Sequence, residues 1–316
     1  MNKRKQHYIV TGGAGFIGSN IALRLLSQGH EVTVLDDLST GKRENVPAQA
    51  AFIAMDLGTA NIAKELGDLT CDAVFHLAGQ SSGPASFNDP GKDFRSHVVA
   101  TFNLLEWCKQ KGVSRFLYAS SMGVYGDPVS LPVDEQQPLN PKSYYGAGKA
   151  CAEAYIRLYQ LLGINTTIFR LFSVYGAGQN LDNRLQGIVS IFLSYMLKGE
   201  KVPVRGSKDR FRDFVYIDDV VDVWLRALNN PISFGKIYNI AACRKTTVEE
   251  LIALLKERIG DPRYPVEYKG ETPGDQFGVF ASFELVQKEL GWQPTVDLET
   301  GLSIMVEKER EKIHAC

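Results

Sequence analysis

Tyr145 and Lys149 are the residues whose types and spacing point most directly to chemistry. They lie four positions apart in Ser143-Tyr144-Tyr145-Gly146-Ala147-Gly148-Lys149. In a helix, residues at i and i+4 share one face, so both side chains would reach the same space. A free phenol has a pKa of about 10, and a neighbouring ammonium group favours its phenolate form. By itself this spacing is more typical of two residues on a helix surface. With a second positive charge beside it, such as an oxidised nicotinamide ring, the pair would form a tyrosine that removes a proton.

A glycine-rich turn near the start of the chain is typical of a site for such a cofactor. The short apolar run Tyr8-Ile9-Val10 predicts a buried strand, and helical spacing follows Gly18. Between them, glycines recur at every third position in Thr11-Gly12-Gly13-Ala14-Gly15-Phe16-Ile17-Gly18. A strand, a glycine turn and a helix together allow a dinucleotide diphosphate to approach the backbone at a helix N-terminus. We therefore interpret the glycines as functional and not merely structural.

The next strands carry carboxylates at the positions that such a cofactor requires. Glu31 to Asp37 predicts a second strand that ends in Asp36 and Asp37. An acid about 20 residues beyond the glycine loop accepts a hydrogen bond from the ribose 2′-OH and repels a 2′-phosphate. NAD is therefore favoured over NADP, with Asp36 as the first ligand. A third strand, 51–57, would place Asp56 at the adenine edge, whereas His76, in a fourth strand (73–78), is interpreted as a packed histidine.

The alternation of strands and helices predicts the fold class. Further strands are expected at 115–119, 166–172 and 236–240, so the sequence predicts an α/β Rossmann doubly wound parallel sheet of about seven strands. The rest predicts a smaller C-terminal α/β substrate lobe. The expected cofactor domain is 1–172, completed by about 213–241, and the expected substrate lobe is 173–212 with 242–316. A cleft between the two would hold the substrate.

Composition narrows the class of protein further. The chain has 316 residues, a net charge of −1 and 22% charged residues, which argue against a nucleic-acid or membrane surface. No apolar window of about 18 residues predicts a membrane span. The five cysteines are scattered, so neither a zinc site nor a disulfide framework is indicated, and a reducing cytoplasm is the expected location.

Several longer motifs together resemble one known family. They are Thr11 to Gly18, His76-Leu77-Ala78-Gly79, Ser120-Ser121 before Val124-Tyr125-Gly126, Tyr145 with Lys149, Arg170-Leu171-Phe172 before Val174-Tyr175-Gly176, Arg212-Asp213-Phe214 and the residues up to Val220, Tyr238-Asn239, Gly274-Asp275, and Leu290-Gly291-Trp292. From Tyr8 to about Gly301 the chain resembles the extended short-chain dehydrogenase/reductase family. The matching branch is that of the nucleotide-sugar epimerases and dehydratases, and the chain is similar to UDP-glucose 4-epimerases.

The resemblance implies tightly bound NAD, a nucleoside-diphosphate sugar and a catalytic set of Ser121, Tyr145 and Lys149. The implied cofactor residues are Gly12, Gly15, Phe16, Ile17, Gly18, Asp36, Asp37, Asp56, Leu57, Leu77, Ala78, Gly79, Ala119, Tyr145 and Lys149. The implied substrate residues are Ser81, Ser121, Met122, Tyr145, Ser173, Arg212, Asp275 and Val279.

The resemblance also implies a reaction. Tyr145 would take the proton of the sugar 4-OH while C4 gives a hydride to the nicotinamide, Ser121 would bond the 4-oxygen, and Lys149 would hold the nicotinamide ribose. The resulting 4-keto sugar could turn and take the hydride back on its other face, which is 4-epimerisation.

Two positions favour epimerisation over elimination. Related 4,6-dehydratases carry an acidic pair directly after the active hydroxyl, whereas Met122 and Gly123 stand there in this chain and cannot transfer a proton. A dehydratase, a 5-epimerase or a 4-ketoreductase on the same scaffold is the alternative. A non-catalytic NAD-binding regulator is disfavoured because the catalytic set is complete, and a reductase of small ketones would need no phosphate ligand such as Arg212.

Some positions depart from the family pattern. Ser173 and His97 stand where asparagines are usual, and Thr272 stands where an arginine usually binds the diphosphate. Arg212 is then the main expected phosphate ligand, with Arg205 or Lys208 as a possible substitute.

Two further expectations concern the sugar and the assembly. The small Val279 stands at a position linked to the size of the sugar 2-substituent, so it predicts room for a 2-acetamido group. Helices 98–111 and 144–162 often pair across a two-fold axis in the family, and a homodimer is therefore expected.

Overall fold

The protein is built around strands that mostly follow the predicted alternation with helices. The computed structural model describes residues 4–270 and 276–315, with side chains up to residue 312. The strands are β1 His7–Thr11, β2 Glu31–Asp36, β3 Ala51–Ala54, β4 Ala73–His76, β5 Arg115–Ser121, β6 Asn165–Leu171, β7 Ser173–Tyr175, β8 Val202–Arg205, β9 Phe211–Arg212, β10 Phe214–Tyr216, β11 Lys236–Ile240, β12 Thr246–Thr247 and β13 Val266–Lys269.

Seven of these strands form a central parallel sheet in the order β3–β2–β1–β4–β5–β6–β11. The order reverses at β1, where Thr11 pairs with Leu35 of β2 on one side and with His76 of β4 on the other. In an open parallel sheet, a crevice forms at this switch point, outside the carboxyl ends of the strands. The predicted Rossmann doubly wound sheet is confirmed.

Helices cover the sheet on both faces. They are α1 Phe16–Ser27, α2 Ile62–Leu66, α3 Gly83–Ser86, α4 Pro90–Phe94, α5 Ala100–Lys111, α6 Tyr144–Leu161, α7 Ile188–Leu197, α8 Ile217–Leu228, α9 Val248–Ile259, α10 Glu284–Leu290 and α11 Leu298–Ala315. A π-helical segment, Arg95–Val99, joins α4 to α5.

Alternation along the strands produces two hydrophobic cores. Tyr8 of β1 belongs to the core on one face and its neighbour Ile9 to the core on the other, because successive strand side chains point to opposite faces. The first core includes Phe75 of β4 stacked on Trp224 of α8, with ring centroids 6.0 Å apart. The second includes Trp107 of α5. Each fully buried large apolar side chain contributes about 1.5–3 kcal/mol, so both helical layers are firmly attached to the sheet.

Some element boundaries differ from those predicted. β3 ends at Ala54, so Asp56 and Leu57 lie in a loop and not in the strand. β5 continues to Ser121, because Ser121 still pairs with Leu171 of β6. The catalytic-type hydroxyl therefore stands on the last residue of a sheet strand, which fixes its backbone.

Helix α6 turns one side toward the sheet and leaves another side exposed. Lys149, Ala152 and Ile156 face inward. Leu158 and Leu161 are 57% and 82% exposed.

The C-terminal part carries three two-stranded sheets, β7 with β10, β8 with β13 and β9 with β12. Helices α7, α9, α10 and α11 accompany them. The division at 173–212 and 242–316 stays a prediction, although β11 completes the central sheet as expected. Within 4–270 and 276–315, the helices are all too short or too polar to cross a bilayer.

Candidate active site

A cavity of about 650 Å³ lies at the carboxyl edge of the central sheet and brings most of the predicted residues together. Every predicted cofactor residue lines it: Gly12, Gly15, Phe16, Ile17, Gly18, Asp36, Asp37, Asp56, Leu57, Leu77, Ala78, Gly79, Ala119, Tyr145 and Lys149. Of the predicted substrate residues, Ser81, Ser121, Met122, Ser173 and Arg212 line it as well.

The glycine loop is shaped by backbone approaches that leave no room for a side chain. Gly12 has a φ of +68°, and a Cβ there would lie 2.7 Å from the backbone nitrogen of Ala78. A Cβ on Gly18 would lie 2.3 Å from the carbonyl oxygen of Gly12. Gly15 precedes α1 without a side-chain cap, so the N-terminus of this twelve-residue helix faces the cavity as an anion site. This cradle fits the diphosphate of a dinucleotide.

Asp36 ties the second strand to the glycine loop. One carboxylate oxygen, Oδ2, accepts a hydrogen bond from Ala14 N at 3.0 Å, and Oδ1 accepts one from Leu38 N at 2.8 Å. Burial raises the pKa of Asp36, and these backbone N–H groups lower it. Asp37 is more exposed and accepts from Ser39 N at 2.9 Å. Asp36 therefore holds the loop in addition to lining the cavity, a role that the motif spacing did not reveal.

His76 is confirmed as a packed histidine. Its Nδ1 lies 2.8 Å from Thr11 Oγ1 and its Nε2 lies 2.9 Å from Thr101 Oγ1. The side chain is fully buried, and burial lowers its pKa well below the usual value. Thr11 Oγ1 also accepts from Leu77 N and Ala78 N, so His76 helps to fix the loop after β4.

The predicted catalytic residues converge at one end of the cavity. Ser143 caps α6 by accepting from Gly146 N at 3.1 Å, which starts the helix immediately before Tyr145. A Cβ on Gly123 would lie 3.4 Å from Tyr145 Cε1 and 3.5 Å from Ser121 Oγ, so these two side chains meet over the same glycine. Lys149 Nζ donates to the carbonyl oxygen of Ala119 at 2.8 Å. β5 and α6 thus bring Ser121 and Tyr145 together and fix Lys149 to the backbone of β5.

Burial is the main influence on the acidity of both Tyr145 and Lys149. It raises the pKa of Tyr145, which a hydrogen bond with Ser121 lowers and the charge of Asp93 raises. It lowers the pKa of Lys149 to about 7, against the opposite effects of Glu153 and Asp93. The Ser121 hydroxyl therefore favours the phenolate, and the help expected from the Lys149 ammonium stays a prediction. A positive charge in the cavity would favour the phenolate.

A buried polar network behind the catalytic residues was not found from the sequence. Arg170 and Glu153 form an ion pair with Nη2 and Oε2 2.8 Å apart, and both side chains are almost fully buried. The hydroxyl of Ser120, next to Ser121, donates to the same carboxylate. Arg170 Nη1 also donates to the hydroxyl of Tyr125 at 2.9 Å. Glu153 lies one turn beyond Lys149, so this network supports both β5 and α6.

The opposite end of the cavity is lined by cations and amides. Arg205, Arg210 and Arg212 line it, and Arg212 Nη1 donates to the Phe211 carbonyl oxygen at 2.8 Å. Burial lowers the pKa of Arg212 to about 10, which leaves it charged at neutral pH. Lys208 pairs instead with Glu249 at 2.9 Å and is not among the lining residues described. Amide side chains that sequence reasoning missed also line the cavity, among them Gln179, Asn180, Asn183, Gln186 and Gln276.

Two predicted substrate residues, Val279 and Asp275, are not among the described residues that line the cavity. Val279 is fully buried in a cluster with Val124, Tyr125 and Phe172, and it is absent from the described cavity lining. Its assignment as a cavity residue is corrected, because the side chain has no exposed surface and packs inside this cluster. Met122 packs against this cluster and does line the cavity. Asp275, like Thr272, lies outside the described residues.

The fold and this site together define a dinucleotide-dependent enzyme class with a Ser-Tyr-Lys constellation. The NAD dependent epimerase/dehydratase family model matches residues 8–241. The chain therefore belongs to this family, in the extended short-chain dehydrogenase/reductase, UDP-glucose 4-epimerase-like branch. The glycine cradle and Asp36 fit the NAD that the family uses.

Three known proteins illustrate the similarity. The putative UDP-glucose 4-epimerase of Methanocaldococcus jannaschii is 36% identical over 300 residues, 94% of this chain and 96% of the relative. The Thermotoga maritima UDP-glucose 4-epimerase, solved with UDP-glucose, superposes with a TM-score of 0.93 at 35% identity, over 97% and 99% of the two chains. The UDP-N-acetylglucosamine 4-epimerase of Methanobrevibacter ruminantium, solved with UDP-N-acetylmuramic acid, gives a TM-score of 0.90 at 28% identity, over 98% and 100%.

Proposed function

We propose that this chain is an NAD-dependent 4-epimerase of a nucleotide sugar, a UDP-hexose or a UDP-N-acetylhexosamine. The observation that carries the proposal is the make-up of the catalytic end of the cavity. Ser121, Tyr145 and Lys149 line this end, while the carboxylates among the described lining residues are Asp36 at the end of β2, Asp37 directly after it and Asp56 after β3. Elimination of water needs a second acid and base beside the sugar, whereas oxidation and reduction at one carbon does not.

In the proposed reaction, each residue has one task. NAD, when bound, supplies the hydride acceptor and donor for C4 of the sugar. The Tyr145 phenolate takes the proton of the 4-OH and returns it at the end of the turnover. The Ser121 hydroxyl bonds the 4-oxygen, and its bond to Tyr145 favours the phenolate. The Lys149 ammonium, held by the Ala119 carbonyl, adds positive charge and a donor for the cofactor ribose.

Epimerisation further requires that the oxidised sugar rotates within the cavity without dissociating. Arg212, supported by Arg205 or Arg210, is proposed to hold the diphosphate at the other end of the cavity. The neutral 4-keto sugar then stays attached through its nucleotide while its ring presents the opposite face. Similarity to both a UDP-glucose and a UDP-N-acetylglucosamine 4-epimerase supports the two candidate sugars.

The test is an incubation of the purified protein, without added NAD, with a panel of UDP-, GDP-, dTDP- and CDP-sugars. Proton NMR follows H1 and H4, with heat-denatured protein as the control. We expect interconversion of C4 epimers of a UDP-sugar with no net change in cofactor. A product that has lost water, or no change with any sugar, would contradict the proposal. Comparable turnover of UDP-galactose and UDP-N-acetylgalactosamine would support a cavity that accepts the 2-acetamido group.

We also propose that the protein acts as a homodimer. Aromatic and leucine side chains form an exposed apolar surface on α3 to α6, which we call the helical surface: Phe87, Phe94, Phe102, Tyr144, Tyr155, Leu158, Leu161 and Leu162. Exposed apolar side chains gathered on neighbouring helices often mark a protein–protein interface. Light scattering tests the proposal. Leu158→Glu should yield a monomer while Leu23→Glu, an exposed leucine on α1, should not, and a monomeric unsubstituted protein would refute it.

A further inference from the structure

The ammonium group of Lys149 lies against two consecutive residues of β5. Lys149 Nζ lies over the ring of Tyr118, 4.8 Å from the ring centroid. It also donates a hydrogen bond to the carbonyl oxygen of Ala119 at 2.8 Å. Tyr118 belongs to the hydrophobic core that contains Ala152 and Ile156 of α6, so its ring lies beneath the helix that carries the lysine. A cation within about 6 Å of an aromatic face is attracted by the electrons of the ring.

The ring of Tyr118 is fixed on its other side by the histidine of β4. Tyr118 pairs with His76 in the sheet, and the centroids of the two rings lie 5.5 Å apart. The nitrogens of His76 are in turn held by the hydroxyls of Thr11 and Thr101, at 2.8 Å and 2.9 Å. The ring beneath Lys149 is therefore locked in place, and it is tied to the strand that leads into the glycine loop.

The aromatic face offsets the cost of burying the lysine charge. Burial lowers the pKa of Lys149 to about 7, against the opposite effects of Glu153 and Asp93. Burial also raises the pKa of Tyr118 well above its usual value, so this phenol stays neutral and offers its ring face. An aromatic face attracts an ammonium group more strongly than a neutral amine. Tyr118 therefore favours the charged form of Lys149.

We propose that Tyr118 is a positioning residue that acts through Lys149: its ring face and the neighbouring Ala119 carbonyl oxygen hold the ammonium group charged and in place at the cavity wall. The inference rests on the proposed function, because the charge of Lys149 serves the reaction there through the cofactor ribose and the Tyr145 phenolate. It extends the site beneath the cavity surface, since Tyr118 is outside the described lining.

Other titratable groups around Lys149 come from several elements. They are Tyr145 and Glu153 on its own helix, Asp93 on α4, His76 on β4 and His97 in the π-helical segment. Burial lowers the pKa of both histidines, that of His97 to about 4, so both are neutral at pH 7. Substitutions at Tyr118 leave all of these groups in the chain. A changed titration of Lys149 in such variants therefore reports the ring beneath it.

The first experiment weakens the aromatic face while nearly preserving its shape. Tyr118 is replaced by phenylalanine and then by phenylalanines with increasing ring fluorination, because fluorine withdraws electrons from the ring face. NMR of carbon-13-labelled lysine follows the titration of Lys149 in the NAD-bound protein, with Lys149→Met to identify the signal. Tyr118→Phe should titrate near the unsubstituted protein, and the midpoint should then fall stepwise by about half to one pH unit. A constant midpoint across the series would overturn the proposal.

The second experiment removes the aromatic face and measures the pH profile of epimerisation. Tyr118→Leu should lower the pKa of Lys149, so the charged form is lost at lower pH. The alkaline limb of kcat should therefore move to lower pH by about half to one pH unit, which corresponds to a loss of about three- to tenfold on that limb. At lower pH, where Lys149 stays charged in both proteins, kcat should be near its original value. An alkaline limb that does not move would contradict the proposal.

Phe116→Leu is the matched control for the loss of a buried ring. Phe116 lies two residues earlier on β5, is fully buried in the same core and also contacts His76, with ring centroids 5.7 Å apart. Among the described residues, the ring over the Lys149 ammonium is that of Tyr118. Thermal unfolding should show that both leucine variants are destabilised, whereas the alkaline limb should move only in Tyr118→Leu. An equal movement in both would mean that a loosened core is the cause, which would overturn the proposal.

The outcomes separate this inference from the proposed function. The NMR titration needs no sugar, so a midpoint that falls across the fluorinated series supports the role of Tyr118 even if the protein catalyses another reaction. An unsubstituted protein that epimerises, combined with a constant midpoint in the series, overturns the inference alone. The series also remains decisive if Tyr118→Leu does not fold, because its members differ little in volume.

Discussion

The two ends of the cavity are constructed differently. At the cofactor end, backbone groups touch one another so closely that Gly12 and Gly18 admit no side chain, and Asp36 ties the loop down with both carboxylate oxygens. At the end proposed for the sugar diphosphate, the lining includes long polar side chains such as Arg212 and Gln276. A fixed backbone suits a cofactor that stays bound. Adjustable side chains suit a sugar that must rotate within the cavity, as the proposed reaction requires. Substitutions at the two ends should therefore fail in different ways.

The largest effect is expected where the two ends meet, at the catalytic tyrosine. Tyr145→Phe removes the proposed base and should lower kcat by about 10²- to 10⁴-fold. NAD should remain bound, because the glycine cradle is untouched. The neighbouring Tyr144, half exposed on the helical surface, provides the matched control. Tyr144→Phe should leave kcat near its original value, and retained activity in Tyr145→Phe would show that the base lies elsewhere.

A substitution in the glycine loop should damage structure and cofactor binding together. Gly18→Ala places a Cβ 2.3 Å from the Gly12 carbonyl oxygen, so the backbone must shift. We expect a loss of about 3 kcal/mol in the free energy of unfolding and release of NAD, measured by denaturation and by cofactor content. At Gly15 the nearest atom is 3.2 Å away, so Gly15→Ala should destabilise the fold less. Equal stability of the two variants would contradict the account of a closed backbone cradle.

At the other end, a substitution should affect substrate affinity and leave the fold intact. Arg212→Ala removes charge-assisted hydrogen bonds to the proposed diphosphate and should raise KM about 10- to 100-fold, with kcat changed less. Lys208→Ala is the control, because Lys208 pairs with Glu249. Steady-state kinetics measure both. A loss of kcat with unchanged KM would remove Arg212 from phosphate binding.

The smallest effect on activity is expected at Val279. Because Val279 is buried in a core cluster, Val279→Ala should cost about 1–2 kcal/mol in the free energy of unfolding. The ratio of hexose to N-acetylhexosamine turnover should stay the same. A changed ratio would show that position 279 acts on the sugar through Met122, which packs against the cluster and lines the cavity.

The features of the cavity also differ in how well they could be predicted from the sequence. The glycine loop, Asp36 and the pair Tyr145 and Lys149 are local patterns, in which a few neighbouring residues determine the geometry, and all of them line the cavity. The parallel sheet followed from the repeated alternation of short apolar runs and helical spacing. These features could be predicted because each leaves a recognisable pattern within a short segment of the sequence.

Other features depend on contacts between distant parts of the chain. The Glu153–Arg170 pair joins α6 to β6, and the ring of His97 contacts the ring of Tyr145 about fifty residues later. The burial of Val279 follows from packing against Val124 and Phe172. No periodicity or spacing in one segment signals such contacts. The exposed leucines of α6 show the same limit, since an apolar stripe does not say whether the sheet or a partner covers it.

The central claim is that one sugar carbon is oxidised and reduced within a single turnover, with the hydride kept in the site. The most direct measurement uses a UDP-sugar deuterated at C4, incubated in ordinary water without added NAD and followed by NMR and mass spectrometry. The account predicts that the C4 epimer formed retains the deuterium at C4 and gains no solvent hydrogen at carbon. Loss of the C4 label to solvent, or exchange at C3 or C5 in a parallel incubation in deuterated water, would contradict it.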